Sequence, residues 1–126
     1  MKSAGYNVGR LLSLADCLHR EYCRHVRNGD VPNNLMGNAL LQTVLDNPVR
    51  GLARLSERIA IYIAPFERLH GEEYKLAGWA KKQMGIVTEQ LSNEDLPGST
   101  DDVLKAQILL GYLAHSESKQ KGEDHG

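Results

Sequence analysis

The chain has 126 residues, of which 41% are hydrophobic, and it carries 15 basic against 16 acidic side chains. This length suits one domain with a single hydrophobic core and is too short for two, and the near-neutral charge excludes a polycationic protein. The charge is uneven, however: residues 1–70 carry nine basic against six acidic residues, a net +3, and residues 71–126 carry six against ten, a net −4. No apolar run suits a membrane span and no signal peptide is recognisable, so we expect a cytoplasmic protein without membrane contact.

The first predicted helix covers about residues 3–28, and Gly29 follows it as a stop signal. At 100° per residue its apolar side chains form one stripe, which is expected to face the core. Three arginines, Arg20, Arg24 and Arg27, are predicted on the opposite side. A turn around Pro32 then leads to a short second helix over about residues 34–45. The predicted stripe consists of Val8, Leu11, Ala15, Leu18, Tyr22 and Val26.

A third helix is predicted to begin at Pro48, with Asp46 or Asn47 as its N-terminal cap. Pro65 should end or kink it near Ala64, because proline cannot donate the next helical hydrogen bond. Five apolar or aromatic residues fall loosely on one side, and this pattern predicts Tyr62 in the core rather than on a surface for base stacking. They are Leu52, Leu55, Ile59, Tyr62 and Phe66.

A fourth helix is predicted over about residues 72–91, and its apolar stripe places Trp79 in the core. Ser99 or Thr100 is expected to cap a fifth helix, whose apolar residues surround the helical wheel. Such a helix must be covered on all sides, so it is either the central helix or partly docked on another chain. The fourth stripe consists of Leu76, Trp79, Ala80, Gln83, Val87 and Leu91.

These elements predict an all-α fold, a single compact bundle of about five helices over residues 3–115. Residues 116–126 are polar and lack apolar anchors, so we expect them to form a disordered tail.

A cluster of cysteine and histidine, Cys17, His19, Cys23 and His25, suggests a zinc site. On one straight helix, however, the four side chains cannot reach one ion: only His19 and Cys23, four residues apart, could share a metal, and two ligands do not make a structural zinc site. The two cysteines lie about 9 Å apart along the helix axis, which excludes a disulfide between them. The sequence also contains no phosphate-binding loop, dinucleotide fingerprint, zinc-protease motif or serine nucleophile between glycines. We therefore expect no metal, no cofactor and no enzymatic activity.

The stretch "VRGLARLSER" places Arg50, Arg54 and Arg58 one helical turn apart. On the wheel they lie on the side opposite Leu52 and Leu55, with a rise of about 6 Å between successive arginines. One interpretation is an ordinary solvated face, in which Glu57 pairs with Arg54. The other is a nucleic-acid-binding face, because guanidinium groups suit phosphate oxygens. Further candidate contacts are Arg20, Arg24, Arg27, Lys81 and Lys82.

Four segments resemble, in order, the C-terminal helical domain of the large subunit of type I-C CRISPR surveillance complexes. The first, "YNVGRLLSLADCLHRE", is similar to its Tyr-x-x-Gly-Arg-Leu start through Tyr6, Gly9, Arg10 and Leu11. The others are "GNALLQTVLDNPVRGLARLSERI", "GWAKKQMGIVTEQL" and "LKAQILLGYLAH", the last of which is similar to a Gln-x-x-x-x-x-Gly-Tyr helix. The resemblance extends from about residue 6 to residue 113.

The resemblance implies a separately made, non-catalytic small subunit of a CRISPR complex (Cascade). Its implied partners are the large subunit, the backbone subunits, stacked copies of itself, DNA as a single strand or R-loop, and CRISPR RNA. Its implied work is to stabilise the target or displaced strand. The alternative is a helical protein-protein adaptor that does not contact nucleic acid.

Overall fold

Five α-helices make up the part of the chain that the computed structural model describes, namely residues 3–26, 31–65, 75–92, 96 and 100–125. Helix α1 spans Ala4–Val26, α2 spans Met36–Asp46, α3 spans Pro48–Arg58, α4 spans Lys75–Leu91 and α5 spans Asp102–His125. A π-helical turn, Ile59–Ile63, continues α3. The predicted all-α bundle is confirmed, and none of the described helices is both long and apolar enough to cross a membrane.

Helix α1 lies at the centre of the bundle and packs against α5, α4 and α2. All eight residues from Leu11 to Leu18 are buried, although Ser13 and Asp16 lie outside the predicted apolar stripe. Because neighbouring helices cover α1 on several sides, its polar residues are enclosed together with its apolar ones. The last helix is therefore not the central one, and the alternative that placed α5 there is wrong.

The buried carboxylate of Asp16 connects three helices. Its Oδ1 accepts hydrogen bonds from the backbone N–H groups of Gly37 at 2.7 Å and Asn38 at 3.1 Å, in the first turn of α2. Its Oδ2 accepts a hydrogen bond from the hydroxyl of Tyr112 in α5. The first N–H groups of a helix have no partner within that helix, and a negative charge there is favoured by the helix dipole. Asp16 thus serves as the cap that α2 lacks in its own sequence.

Helices α1 and α5 cross at glycines. A Cβ atom at Gly9 would overlap the carbonyl oxygen of Ile108 and lie 2.6 Å from the backbone nitrogen of Tyr112. A Cβ atom at Gly111 would likewise overlap the carbonyl oxygen of Tyr6. The two backbones are so close that only glycine fits at either position, and this contact fixes how deeply α5 packs against α1.

The N-terminus of α5 is capped by Asp101, whose carboxylate accepts a hydrogen bond from the backbone N–H of Leu104 at 2.8 Å. The prediction of Ser99 or Thr100 as the cap is therefore corrected. The hydroxyl of Thr100 instead donates to the backbone carbonyl of Leu45, so it joins the approach to α5 to the end of α2.

The backbone of α5 continues as helix to His125, past residue 115, where the sequence predicted the bundle to end and a disordered tail to begin. The segment that follows, "SESKQKGEDH", contains Glu, Lys and Gln, which have favourable helix propensity. An established helix propagates readily into such residues, because each one added forms a hydrogen bond without the cost of nucleation.

Replacing Gly9 by alanine is expected to destabilise the fold by about 3 kcal/mol, because the added methyl group forces α1 and α5 apart. Gly85 in α4 is the matched control, since nothing lies within 4 Å of a Cβ atom there. Gly85→Ala should stabilise the protein by about 1 kcal/mol through helix propensity. Urea denaturation of both variants measures the difference, and equal effects of the two substitutions would contradict the close crossing.

The Tyr112 hydroxyl should make stability depend on pH in the alkaline range. Burial, the hydrogen bond to Asp16 and the negative charge of that carboxylate raise the pKa of Tyr112 above its ordinary value of 10.0, while the positive charge of Arg20 lowers it by less. The folded protein then keeps this proton where the unfolded chain loses it, so the stabilisation is complete below about pH 10 and declines as the pH rises further.

The variant Tyr112→Phe lacks this proton. We expect the difference in free energy of unfolding between wild type and Tyr112→Phe to be constant from about pH 7 to 9 and to shrink above about pH 10. Urea denaturation at a series of pH values measures it, with Tyr62→Phe as the control for loss of one exposed tyrosine hydroxyl. A difference that stays constant throughout the alkaline range would count against the Asp16–Tyr112 contact.

Candidate nucleic-acid interface

The start of α3 orients the candidate arginines. Asn47 caps the helix by accepting a hydrogen bond from the backbone N–H of Arg50 at 3.1 Å, and buried Pro48 is its first residue, as predicted. Gly51 packs so closely on α2 that a Cβ atom there would lie 2.6 Å from the Cα of Val44. Together with buried Pro48, this contact fixes the orientation of α3.

Arg50, Arg54 and Arg58 are all exposed, each one helical turn after the last along α3, and we call them the arginine row. Within the described ranges, their guanidinium groups form no ion pair and no side-chain hydrogen bond. The pair of Arg54 with Glu57, expected for an ordinary solvated face, is not formed. The row extends over about 12 Å along the helix, with three cationic forks available to an external anion.

A shallow cleft of about 410 Å³ lies where α2 ends and α3 begins. Arg50 and Arg54 line it together with Thr43, Asp46 and Asn47. The carboxylate of Asp46 would repel a phosphate group inside the cleft. A phosphate backbone is therefore expected to contact the outer side of the row rather than enter the cleft.

Tyr62 is 55% exposed, so its predicted place in the core is wrong. The cause is the π-helical turn, in which the N–H of Ala64 donates to the carbonyl of Ile59, five residues earlier. Each residue of this wider turn rotates the chain by less than 100°, so Tyr62 stops short of the core side. Ile63 takes the inward position instead and is fully buried.

The same turn brings Tyr62 into line with the arginine row. Residues four apart point in similar directions around a π turn. Tyr62 therefore lies on the same side of the helix as Arg58, just as Arg58 lies on the same side as Arg54. The exposed side chain of Ile61 lies beside Tyr62. The row of three arginines is therefore followed along the helix by an exposed aromatic ring. The four-residue spacing from Arg58 to Tyr62 is visible in the sequence. The assumption of a regular α-helix, however, assigned Tyr62 to the core.

Helix α4 carries Lys81 and Lys82, which are both exposed, but it packs against α1, whereas α3 packs against α2. The lysines are thus on a different element from the arginine row. Trp79 on the same helix is 43% exposed, which corrects its predicted place in the core. Fully buried Ala80 and Val87 face inward there, as predicted.

The second set of candidate arginines does not form a matching row. Arg24 pairs with Glu21 through a 3.2 Å contact. Arg20 is half-buried, and its charge acts on the hydroxyl of Tyr112. Arg27 lies outside the described residues, as do Phe66 and Tyr74 and the side chains of His25, Val26 and Leu76. Of the predicted arginines, only those of α3 are shown together on one exposed face.

The cysteine and histidine cluster has structural roles in its described part. His19 accepts, through Nδ1, a hydrogen bond from the backbone N–H of Met36 at 2.9 Å, and so adds to the capping of α2 by Asp16. Cys17 and Cys23 are fully buried and form no disulfide. Among the described residues, no three His, Cys, Asp or Glu side chains lie close enough together to hold a metal ion.

The described surfaces therefore offer an arginine row with an aromatic end as the candidate site. Its chemistry is that of binding: fixed positive charge, guanidinium donors and one flat ring. No protein-family model, curated protein or solved structure matches the chain. Function is accordingly inferred from these surfaces and from the sequence motifs.

Proposed function

We propose that this chain is a non-catalytic small subunit of a CRISPR RNA-guided surveillance complex and that it binds DNA strands of an R-loop. The observation that carries the proposal is the exposed arginine row, Arg50, Arg54 and Arg58, which has no partner among the described residues. Guanidinium groups about 6 Å apart reach every second phosphate of a strand, where phosphates follow at about 3.4 Å.

The motif resemblance indicates the kind of complex in which this row would bind nucleic acid. Gly9 and Gly111, at the crossing of α1 and α5, both belong to segments that resemble the CRISPR large-subunit domain. The proposed partners are accordingly the large subunit and the backbone subunits of the complex, with CRISPR RNA alongside. This supports a bundle of the same architecture working as a separate subunit.

The small number of phosphate contacts in one row limits how tightly a single copy binds nucleic acid. Three phosphate contacts predict a slope of log affinity against log salt of about −2 on a single strand and about −2.7 on duplex DNA. Binding at physiological salt is then weak for one copy. When several copies are stacked along one strand, each bound row raises the effective concentration of the strand at the next row. The complex then binds the strand more tightly than a single copy does.

Tyr62 favours single-stranded over duplex nucleic acid as the ligand of the row. Its ring is exposed at the end of the arginines, where an unpaired base next to the contacted phosphates is able to stack on it. Bases of a duplex are already stacked on one another and offer no free face. The displaced or target strand of an R-loop provides such bases.

The triple variant Arg50→Ala, Arg54→Ala, Arg58→Ala tests the arginine row. In titrations of single-stranded DNA at a series of salt concentrations, we expect weaker binding and a salt slope reduced by about 2. The same substitutions in the assembled complex should weaken R-loop binding. Unchanged affinity together with an unchanged slope would refute the assignment.

Two controls separate charge from geometry. Replacing the three arginines by lysine keeps the charge and should preserve the salt slope while it lowers affinity, because the ammonium group lacks the bidentate fork. Lys105→Ala removes one charge on α5, a different helix from that of the row, and should change the affinity little.

Replacing Tyr62 by alanine tests stacking. We expect single-strand affinity to fall by about 5-fold to 150-fold, in line with about 1–3 kcal/mol per stacked base, and duplex affinity to change little. Tyr62→Phe keeps the ring and should bind as the wild type does. Equal losses on both DNA forms would show that the ring does not contact an unpaired base.

A second candidate function is a protein-protein adaptor without nucleic-acid contact. The observation that favours it is the exposed apolar face of α5, which includes Val103, Leu110 and Leu113. An adaptor's complex with its protein partner should survive nuclease and high salt. An overlapping large-subunit reading frame beside CRISPR repeats favours the first candidate, and a gene without that neighbourhood favours the adaptor.

A further inference from the structure

The indole ring of Trp79 lies on the surface of α4 instead of in the core. Its side chain is 43% exposed, whereas the smaller Ala80 and Val87 occupy the inward side of the helix and are fully buried. Packing within the bundle therefore leaves a large part of the indole uncovered. Exposed tryptophan is more typical of binding surfaces than of ordinary protein surface.

Arg10, on α1, extends to the side of α4 that presents Trp79. Its Nη2 donates a hydrogen bond to Oε1 of Gln83 at 2.6 Å. Gln83 follows Trp79 by one helical turn, and residues four apart on a helix lie on the same side with Cβ atoms about 6 Å apart. The guanidinium group of Arg10 is therefore held next to the Trp79 side of α4.

The positive charge of Arg10 has no counter-charge in the described part of the chain. Arg10 forms no ion pair there, and its buried Nε has no hydrogen-bond partner. The side chain is half-buried, so it loses part of its hydration without gaining an acid in return. A guanidinium group that is oriented by Gln83 but has no anion of its own is suited to bind one from outside the chain.

Helix α4 adds positive charge on the other side of Trp79. On a wheel of 100° per residue, Lys82 lies about 60° from Trp79 in the direction away from Gln83, whereas Lys81 lies about 160° from it. The acid Glu89 follows about 15 Å further along the axis, beyond the screening length of about 8 Å at physiological ionic strength. The charged residues of the helix are Lys75, Lys81, Lys82 and Glu89.

We propose that Trp79, Arg10 and Lys82 form a second contact for single-stranded nucleic acid, which we call the α4 site. An unpaired base stacks on the indole ring, and the guanidinium of Arg10 and the ammonium of Lys82 bind phosphates on either side of that base. Aromatic rings flanked by cations bind single strands in this way without sequence preference. The α4 site uses no residue of the arginine row, so it goes beyond the proposed function and gives one copy two separate strand contacts.

Trp79 is the only tryptophan of the chain, so tryptophan fluorescence reports on the α4 site directly. On titration of the full chain with oligothymidylate at low salt, we expect saturable quenching of the emission, because a base stacks on the indole. A DNA duplex of the same length offers no free base and should quench much less. Polyglutamate has negative charges but no bases and should leave the emission nearly unchanged.

Three results of this titration would overturn the α4 site. The first is an emission that the single strand does not change. The second is equal quenching by the duplex, which would exclude stacking of an unpaired base. The third is equal quenching by polyglutamate, which would indicate a surface for an acidic protein segment instead.

The triple variant Arg50→Ala, Arg54→Ala, Arg58→Ala distinguishes failure of the α4 site from failure of the arginine row. We expect its tryptophan quenching to persist, with a salt slope of about −1.4 for two phosphate contacts on a single strand. Loss of the quenching in this variant would show that Trp79 responds only to DNA held on α3, contrary to the proposal. Quenching and affinity equal to those of the wild type would support the α4 site and refute the row.

Substitution of the ring tests stacking by a second measurement, the anisotropy of a labelled oligothymidylate. Trp79→Ala should lower the affinity by about 5-fold to 150-fold, and Trp79→Phe, which keeps a ring, should lower it less. Leu110→Ala is the matched control, since Leu110 is a 63% exposed apolar residue of α5, and it should bind as the wild type does. Circular dichroism verifies that the variants keep their helix content. Equal losses for Trp79→Ala and Leu110→Ala would contradict the α4 site.

The two neighbouring lysines test the geometry of the site. Both are exposed on α4, but only Lys82 lies near Trp79 around the helix. We expect Lys82→Ala to reduce the salt slope on a single strand by about 0.7, the value for one phosphate contact, and Lys81→Ala to leave it unchanged. Equal slopes for the two variants would refute the assignment of Lys82 to the α4 site.

Discussion

A single buried carboxylate, that of Asp16, joins the three helices on which the rest of the structure depends. It accepts the first amides of α2 and the hydroxyl of Tyr112 in α5, while its own helix α1 occupies the centre of the bundle. A buried charge is tolerated only when it is well hydrogen-bonded, and here each partner in turn needs an acceptor. This polar contact therefore specifies where α2 begins and how α5 crosses α1. Apolar packing alone would not fix these two positions.

The outward direction of the arginine row follows from this arrangement. Asp16 and His19 fix the start of α2, and Gly51 holds α3 closely on α2, so the orientation of α3 is set while its three arginines stay exposed. The π-helical turn then places Tyr62 after the arginines. Charge and aromatic surface thus reach one face through a chain of packing contacts that begins in the core.

Two different chemistries are presented on two different helices. Helix α3 carries an exposed row of arginines without partners in the described part of the chain, whereas α5 carries an exposed apolar face. Binding of a polyanion through fixed charges weakens as salt is added. Association through an apolar face does not depend on nucleic acid and is strengthened by salts such as sulfate.

The sequence by itself determined the helices, the start of α3 at Pro48 after a cap at Asp46 or Asn47, and the separation of leucines from arginines along α3, because these depend on local periodicity and turn chemistry. Only the tertiary structure decided that α1 is central and that Trp79 and Tyr62 are exposed. A helical wheel gives the sides of one helix but not which neighbours cover them. It also assumes a constant rotation per residue, which the π turn breaks, so the aromatic end of the row depended on backbone hydrogen bonds that no residue pattern specified.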